Sequence, residues 1–368
     1  MIAGRATPDG TAKFIQTRRA ANGHWRQDLG VTLSSVGMGT YLGKWDDATD
    51  AVVATAARRA IAKGVNVIDS AINYRFQRAE RSLGQALKDG IAAGEFSRDQ
   101  ILVCTKGGYL SFEGQPPADP RAWFEGTFVD EGIATFDDLV DDSHCMAPAY
   151  LRHEVDQSRK NLGVETIDVY YVHNPEGQLP AVGEKEFDRR LTAAFRELEK
   201  CADEGKLAYY GVATWNGFRQ IQGQDRLSLE RVIACAGEAG GEKHRFRVVQ
   251  LPLNLGMPEA LLVPTQEHEG KSFPFLTVAK QLGITVFTSV PLLQGQLLGR
   301  LPEPVRAKFP DLTTDAARAI QFARSAPGVT APLVGMKTAA HIDENLAVVA
   351  VPPLPADAFG KLLRPGGV

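Results

Sequence analysis

Cysteine is scarce and scattered in this chain: Cys104, Cys145, Cys201 and Cys235 form no Cys-x-x-Cys pair. That pattern fits neither a disulfide framework nor a structural zinc site, and points to a reducing compartment. Charge of one sign is equally short. The net charge is -3 and no block of five or six like charges occurs, which leaves no basic surplus for nucleic acid or anionic lipid. No stretch approaches the ~18 uninterrupted apolar residues of a membrane span, and residues 1–30 lack the apolar core of a secretory signal. These absences predict a soluble, cytoplasmic protein with a small molecule as its target. At 368 residues a single large core suffices, so one domain, residues 1–368, is expected.

Apolar runs alternate along the chain with segments of helical period, the signature of a parallel sheet covered by helices. Strands are predicted at Ser35–Gly39, Val65–Asp69, Ile101–Thr105, Asp168–Val172, Ala208–Ala213, Phe246–Leu251, Thr285–Ser289 and Ala331–Val334. Helices are predicted at Asp50–Ala62, Ala79–Lys88, Pro148–Leu162, Glu184–Glu204, Pro274–Leu282 and Thr338–Ala347, whereas the fifth and seventh strands are followed by no comparably marked segment. Eight such units predict the α/β class and a (β/α)8 TIM barrel. Residues 1–23 read as an arm, His24–Leu33 as a hairpin closing the barrel bottom, and 351–368 as a Pro- and Gly-rich tail. The stretch between Lys106 and His173 is roughly twice the ~30 residues of a βαβ unit. Residues 107–146 are therefore an insertion after the third strand, on the active-site side, with one short helix around Phe136–Leu139. It is a candidate lid for substrate specificity.

Four chemically active residues stand just after successive strands: Asp69 and Tyr74, separated as Asp-x-x-x-x-Tyr; Lys106, in Thr-Lys; and His173, in Val-His-Asn-Pro. A phenol beside an ammonium is a useful proton donor, because the cation favours the phenolate left behind. Taken singly, a strand-end Asp or His is more often a structural hydrogen-bonder and a Tyr more often packs its ring. Their order and local sequence closely resemble the aldo-keto reductase family. That resemblance implies NADP(H)-dependent reduction of an aldehyde or ketone by a protein acting as a monomer. Tyr74 would be the general acid, Lys106 would lower its pKa, Asp69 would hold Lys106, and His173 would orient the carbonyl.

The likeness extends along the barrel. Gly39 and Thr40, in Gly37-Met38-Gly39-Thr40, are similar to the family's first strand, and Ala79–Gly84 resembles the segment after its catalytic Tyr. Gln250 resembles the contact to the nicotinamide carboxamide. Pro291, Leu292 and Gly295 resemble the pyrophosphate loop, and Gly335, Lys337, Thr338, His341, Glu344 and Asn345 the adenosine end. Four positions depart from the pattern: Ala213 and Thr214, in Gly211-Val212-Ala213-Thr214 for Gly-Val-Ser-Asn, Ser289 for a stacking aromatic, and His341 for an Arg. Thr214 is the expected partial substitute for the Asn, and Lys337 the partner of a 2′-phosphate, favouring NADP with NAD as the alternative. Tyr41, Trp45, Tyr109, Trp123, Phe124 and Trp215 are expected around an aromatic pocket.

Competing patterns are weaker. Gly37-x-Gly39-x-x-x-Gly43 does not open a helix directly, as a dinucleotide fingerprint must. The acids Asp137, Asp138, Asp141 and Asp142 with His144 and Cys145 lack metal-site spacing and read as a solvated loop, so no metal is expected. No Gly-x-Ser-x-Gly elbow is present. The alternative from a different class is a nucleotide-binding, redox-sensing regulatory subunit with little turnover, as some relatives are.

Overall fold

The computed structural model describes residues 1–362; the end of the expected tail, residues 363–368, lies outside them. Eight parallel strands close into a barrel: β1 (Gly37–Gly39), β2 (Val67–Asp69), β3 (Leu102–Gly107), β4 (Ile167–His173), β5 (Leu207–Ala213), β6 (Phe246–Pro252), β7 (Thr285–Ser289) and β8 (Ala331–Gly335). Each is followed by a helix: α1 (Asp47–Ala62), α2 (Arg78–Ala92), α3 (Pro148–Leu162), α4 (Leu179–Asp203), α5 (Leu229–Gly240), α6 (Phe275–Gln281), α7 (Asp315–Ser325) and α8 (Ala339–Asn345). The (β/α)8 expectation holds, including helices after the fifth and seventh strands. Side chains of Asp46, Ser228, Thr314 and Thr338 accept the first free N–H groups of α1, α5, α7 and α8, and α3 starts on Pro148 and stops at Gly163 with φ 66.

Two-residue alternation divides each strand between two cores. Val67, Leu102, Cys104, Val169, Tyr171, Val248, Phe287, Ala331 and Leu333 fill the barrel. Ile68, Val103, Tyr170, Val172, Val249 and Val286 face the helices. The period carries Asp69, Lys106, His173 and Gln250 inward one layer above the barrel's apolar filling, at the C-terminal face where such barrels place their chemistry.

The bottom is closed by a hairpin, Trp25–Asp28 against Val31–Ser34, turning through Leu29 and Gly30 at φ 51 and 73. Its Val31 and Leu33 join the barrel filling, and Asn66 bridges it to the sheet, accepting from Ser34 N at 2.7 Å and donating to Thr32 O at 2.8 Å. Residues 1–23, expected as an arm, contain a helix, Pro8–Gln16, with Phe14 wholly buried. Ala6 N donates to Asp168 Oδ1 at 2.7 Å, and Arg98 pairs with the same carboxylate at 2.5 Å.

Residues 107–146 hold more structure than one short helix. Phe136–Asp138 forms a 3-10 turn, Pro120–Phe124 an α-turn capped by Asp119, and Leu139–Val140 pairs antiparallel with His144–Cys145. Leu110, Phe124, Phe128 and Cys145 pack with Tyr150 of α3 as a separate apolar cluster. The four cysteines are free and buried. Among the described residues no helix is long and apolar enough to cross a membrane, and no three His, Cys, Asp or Glu side chains are grouped to hold a metal ion.

Candidate active site

Above the apolar filling of the barrel a cleft of about 450 Å³ opens at the strand ends, with Asp69, Tyr74, His173 and Gln250 in its walls. Lys106 lies beneath it, wholly buried. Its Nζ meets Asp69 Oδ2 at 2.5 Å and Ser70 O at 2.6 Å, and sits 4.9 Å from the centre of the Tyr74 ring. Gln250 Nε2 donates to the other oxygen, Asp69 Oδ1, at 2.9 Å. The His173 and Tyr74 rings meet edge to face at 5.8 Å. The four residues expected to carry the reaction are thus brought together.

The electrostatics refine one expectation. Removal from bulk water raises the Tyr74 pKa; Lys106 pulls it back without cancelling the rise. Tyr74 is thus a fully protonated phenol, and the cation acts against burial rather than producing a low pKa. Burial alone would lower Lys106, but Asp69 and Tyr74 outweigh it and hold the ammonium charged. Burial pushes Asp69 up, with Lys106 and Gln250 opposing. His173 is driven well below its usual range by burial, then by Lys106 and His144; it is a neutral imidazole.

Tyr74 sits on a turn whose main chain is closed locally, Gln77 N donating to Ile72 O at 2.9 Å and Phe76 N to Asn73 O at 3.3 Å. Arg75, Phe76 and Gln77 have φ 50, 56 and 69, three successive left-handed residues without a glycine. Side-chain bonds brace the shape further: Arg75 Nη1 pairs with Asp50 Oδ1 at 2.5 Å, Arg75 Nη2 donates to Ser82 Oγ at 2.9 Å, and Gln77 Nε2 donates to Ser111 O at 2.9 Å.

On the side expected for a cofactor, Gly39, Thr40, Thr214, Pro291, Leu292, Gly295 and Gly335 line the same cleft. It runs on into a second cavity of about 260 Å³, where Lys337, His341, Glu344 and Asn345 stand. Thr338 lines neither cavity; its hydroxyl accepts from His341 N at 3.2 Å as the cap of α8. Thr214 Oγ1 is buried without a partner. Gln250 spends one of its two N–H groups on Asp69 and keeps its carbonyl oxygen as an acceptor for a ligand. An unpaired hydroxyl beside an amide acceptor fits a carboxamide, and the two cavities adjoin through shared walls at Gly39, Leu292, Gly295 and Gly335. Ser289 lines the cleft where an aromatic was absent from the sequence. The loop after it holds Val290, Leu293 and Gln294 at φ 49, 47 and 53.

Of the expected substrate residues, Tyr41, Tyr109 and Trp215 line the cleft. Trp45 and Trp123 do not. Trp45 is 55% exposed and lies edge-on against Phe76 at 5.2 Å. Trp123 is taken up by the inserted segment, against Phe112 at 4.8 Å and Phe128 at 5.3 Å, and Phe124 is buried in the same cluster. The sequence reading passed over Asn73, Asn174 and Gln294 as lining residues. Asn174 adjoins His173 in the same motif, and its left-handed φ of 46 is a conformation Asn tolerates.

A closed barrel with its polar groups gathered at the C-terminal strand ends around a long cleft is an enzyme architecture for a small ligand. The chain belongs to the aldo/keto reductase family, whose profile matches residues 35–311, and so is an NAD(P)H-dependent oxidoreductase. An uncharacterized oxidoreductase of Schizosaccharomyces pombe is 22% identical over 327 residues, 88% of this chain and 82% of that protein. Among solved structures, an aldo/keto reductase from Klebsiella pneumoniae in complex with NADP and acetate aligns with TM-score 0.61 at 18% identity, over 94% of each chain. The glycerol dehydrogenase of Gluconobacter oxydans aligns with TM-score 0.62 at 20% identity, over 93% of this chain and 94% of its own. At such identities these two likenesses speak for the fold.

Proposed function

We propose that this protein reduces an uncharged aldehyde or ketone to the alcohol, with Tyr74 as the proton donor and NADP(H) as the preferred cofactor. The observation that carries the reading is the protonated Tyr74 phenol at the cleft wall with an ammonium beneath it that a buried carboxylate holds charged. A reduced nicotinamide, when bound, supplies the hydride. Thr214 and Gln250 would hold its carboxamide, Pro291, Leu292 and Gly295 would border its pyrophosphate, and Lys337 would meet a 2′-phosphate.

The protein's own part is electrostatic and positional. As charge develops on the substrate oxygen, Tyr74 Oη gives up its proton, and Lys106 stabilises the phenolate left behind. The same groups serve the reverse direction, with Tyr74 as base. Neutral His173 would donate to the same oxygen and orient it. Among the described residues the cleft lining holds neither Lys nor Arg, so none of them would compensate a substrate carboxylate there. Tyr41 and Trp215, 57% and 42% exposed, offer ring faces at the mouth. The same reading takes the chain as one barrel domain acting as a cytoplasmic monomer.

The test is titration with NADPH and NADH by Trp fluorescence, followed by absorbance loss with a panel of neutral aldehydes. Tyr74→Phe should lower turnover roughly 10²- to 10⁴-fold, the range of general-acid contributions, and leave NADPH binding intact. Retained turnover would remove Tyr74 from the mechanism. Tight binding by the unaltered protein with no turnover of any carbonyl would favour the redox-sensing alternative.

A further inference from the structure

We infer that His144, contributed by the inserted segment, is a positioning residue for His173, which makes the insertion part of the reaction centre as well as a wall of the cleft. The inference rests on the role proposed above for His173.

Nothing hydrogen-bonded to the His173 ring fixes its direction among the described residues: its Nδ1 is buried without a partner. The ring is held by edges and by its own main chain. Tyr109, in the insertion, meets it edge to face at 5.1 Å and 89°. His144 Nε2 lies 2.7 Å from the His173 carbonyl oxygen, and Gln178 Nε2 lies 3.0 Å from His144 Nδ1. An amide N–H can only donate to Nδ1, so the tautomer that satisfies both contacts carries its proton on Nε2 and donates it to His173 O. Burial pushes the His144 pKa down to about 4, which keeps that neutral form in place at working pH.

The next residue is held from the same side. Asn174 Nδ2 donates to Tyr109 Oη at 3.2 Å, while Asn174 N donates to Ala213 O at 2.6 Å. The approach requires a glycine on the inserted side. Gly108 has φ +130, and a Cβ there would stand 3.0 Å from His144 Nε2 and 3.4 Å from His173 O. The end of β4 is thus gripped at two adjacent residues by one brace, Gly108-Tyr109 with His144. A specificity lid would have no need to touch this main chain.

The experiment is a double-variant cycle in the full-length protein, with kcat, carbonyl KM and NADPH affinity measured for His144→Leu, His144→Gln, His173→Ala and the Leu/Ala pair. His144→Leu keeps the bulk and loses the donor; it should lower kcat about tenfold with NADPH affinity unchanged. His144→Gln, whose amide can still donate, should recover most of that loss. In the His173→Ala background His144→Leu should cost nothing further. Losses that multiply in the pair, or a Gln variant as impaired as Leu, would overturn the inference. If Leu prevents folding, Gln178→Leu, which frees the His144 tautomer, is read on the same cycle: a loss confined to chains retaining His173 supports the brace, and an equal loss in both overturns it. His173→Ala with undiminished kcat would instead sink the proposed role of His173 itself.

Discussion

Replacing Lys106 by Met separates two roles that one ammonium fills. For the reaction, the relevant distance is 4.9 Å from Nζ to the Tyr74 ring centre. A unit charge at that range contributes about 3 kcal/mol at an effective dielectric constant of ~20. The phenol has surrendered part to all of its proton in the transition state, so the loss is about 1.5–3 kcal/mol, or roughly 10- to 200-fold in kcat. For the fold, Met removes the partner of a carboxylate that is almost wholly buried. Stranding one member of such a pair costs about 3–5 kcal/mol, reduced here because burial already pushes Asp69 toward its protonated form. Adding Asp69→Asn takes away the stranded charge and leaves an amide oxygen for Gln250. The pair Lys106→Met/Asp69→Asn should therefore regain most of the stability lost on urea unfolding while its kcat stays low. A double variant that regained turnover, or a Lys106→Met protein within threefold of the original kcat, would refute the electrostatic account.

Glu154 is buried in α3 with its pKa pushed up to about 8, chiefly by burial. A carboxyl raised in the folded state stabilises the fold fully below the ordinary carboxylate range and less as pH climbs toward 8, so Tm should fall between pH 5 and pH 8 and fall less in Glu154→Gln; parallel curves would place the pH dependence elsewhere. Lys337→Ala should weaken NADPH about tenfold and leave NADH nearly unchanged, in line with loss of one charge-assisted contact to phosphate. Equal changes for both nucleotides, measured by fluorescence titration, would remove Lys337 from cofactor selection.

The barrel was legible because strands buried on both faces read as apolar runs, and because alternation put Asp69, Lys106 and His173 on the inward face of consecutive strands. What hid was structure held by polar or distant partners. Helix α7 buries Arg324 and Gln321, whose donors reach Ser35 Oγ at 2.7 Å, Val351 O at 3.0 Å and Pro352 O at 2.7 Å; those buried polar residues broke the apolar stripe that marks a helix. The buried face of α5 is made partly of Cys235 and Ala236, small residues that weaken the same signal. Strand β1 proved shorter than expected, Gly37–Gly39 against 35–39, because Ser35 N is bonded to His24 O at 2.7 Å and Ser34 to Asn66 at the closing hairpin. In the insertion, Pro120 opens a helical turn where its missing N–H costs nothing, although a proline by itself reads as a breaker.

Within the site, the residue types were legible and the means of aiming them were not. The left-handed turn at Arg75, Phe76 and Gln77 costs about 1–2 kcal/mol per residue, and none of the three is a residue that signals it. The compensation comes from nearby Ser82 on α2 and from two partners far from Tyr74 in sequence, Asp50 on α1 and Ser111 in the insertion. His173 is held the same way, by His144 and Tyr109 of that insertion. Two side chains meant to meet one substrate oxygen are thus braced from a common segment, whose conspicuous prolines, aromatics and acids do not announce that part. A segment that fixes Gln77 through Ser111 and His173 through His144 constrains the angle between Tyr74 and His173. Variation in residues 107–146 should for that reason alter kcat together with substrate choice, rather than substrate choice alone.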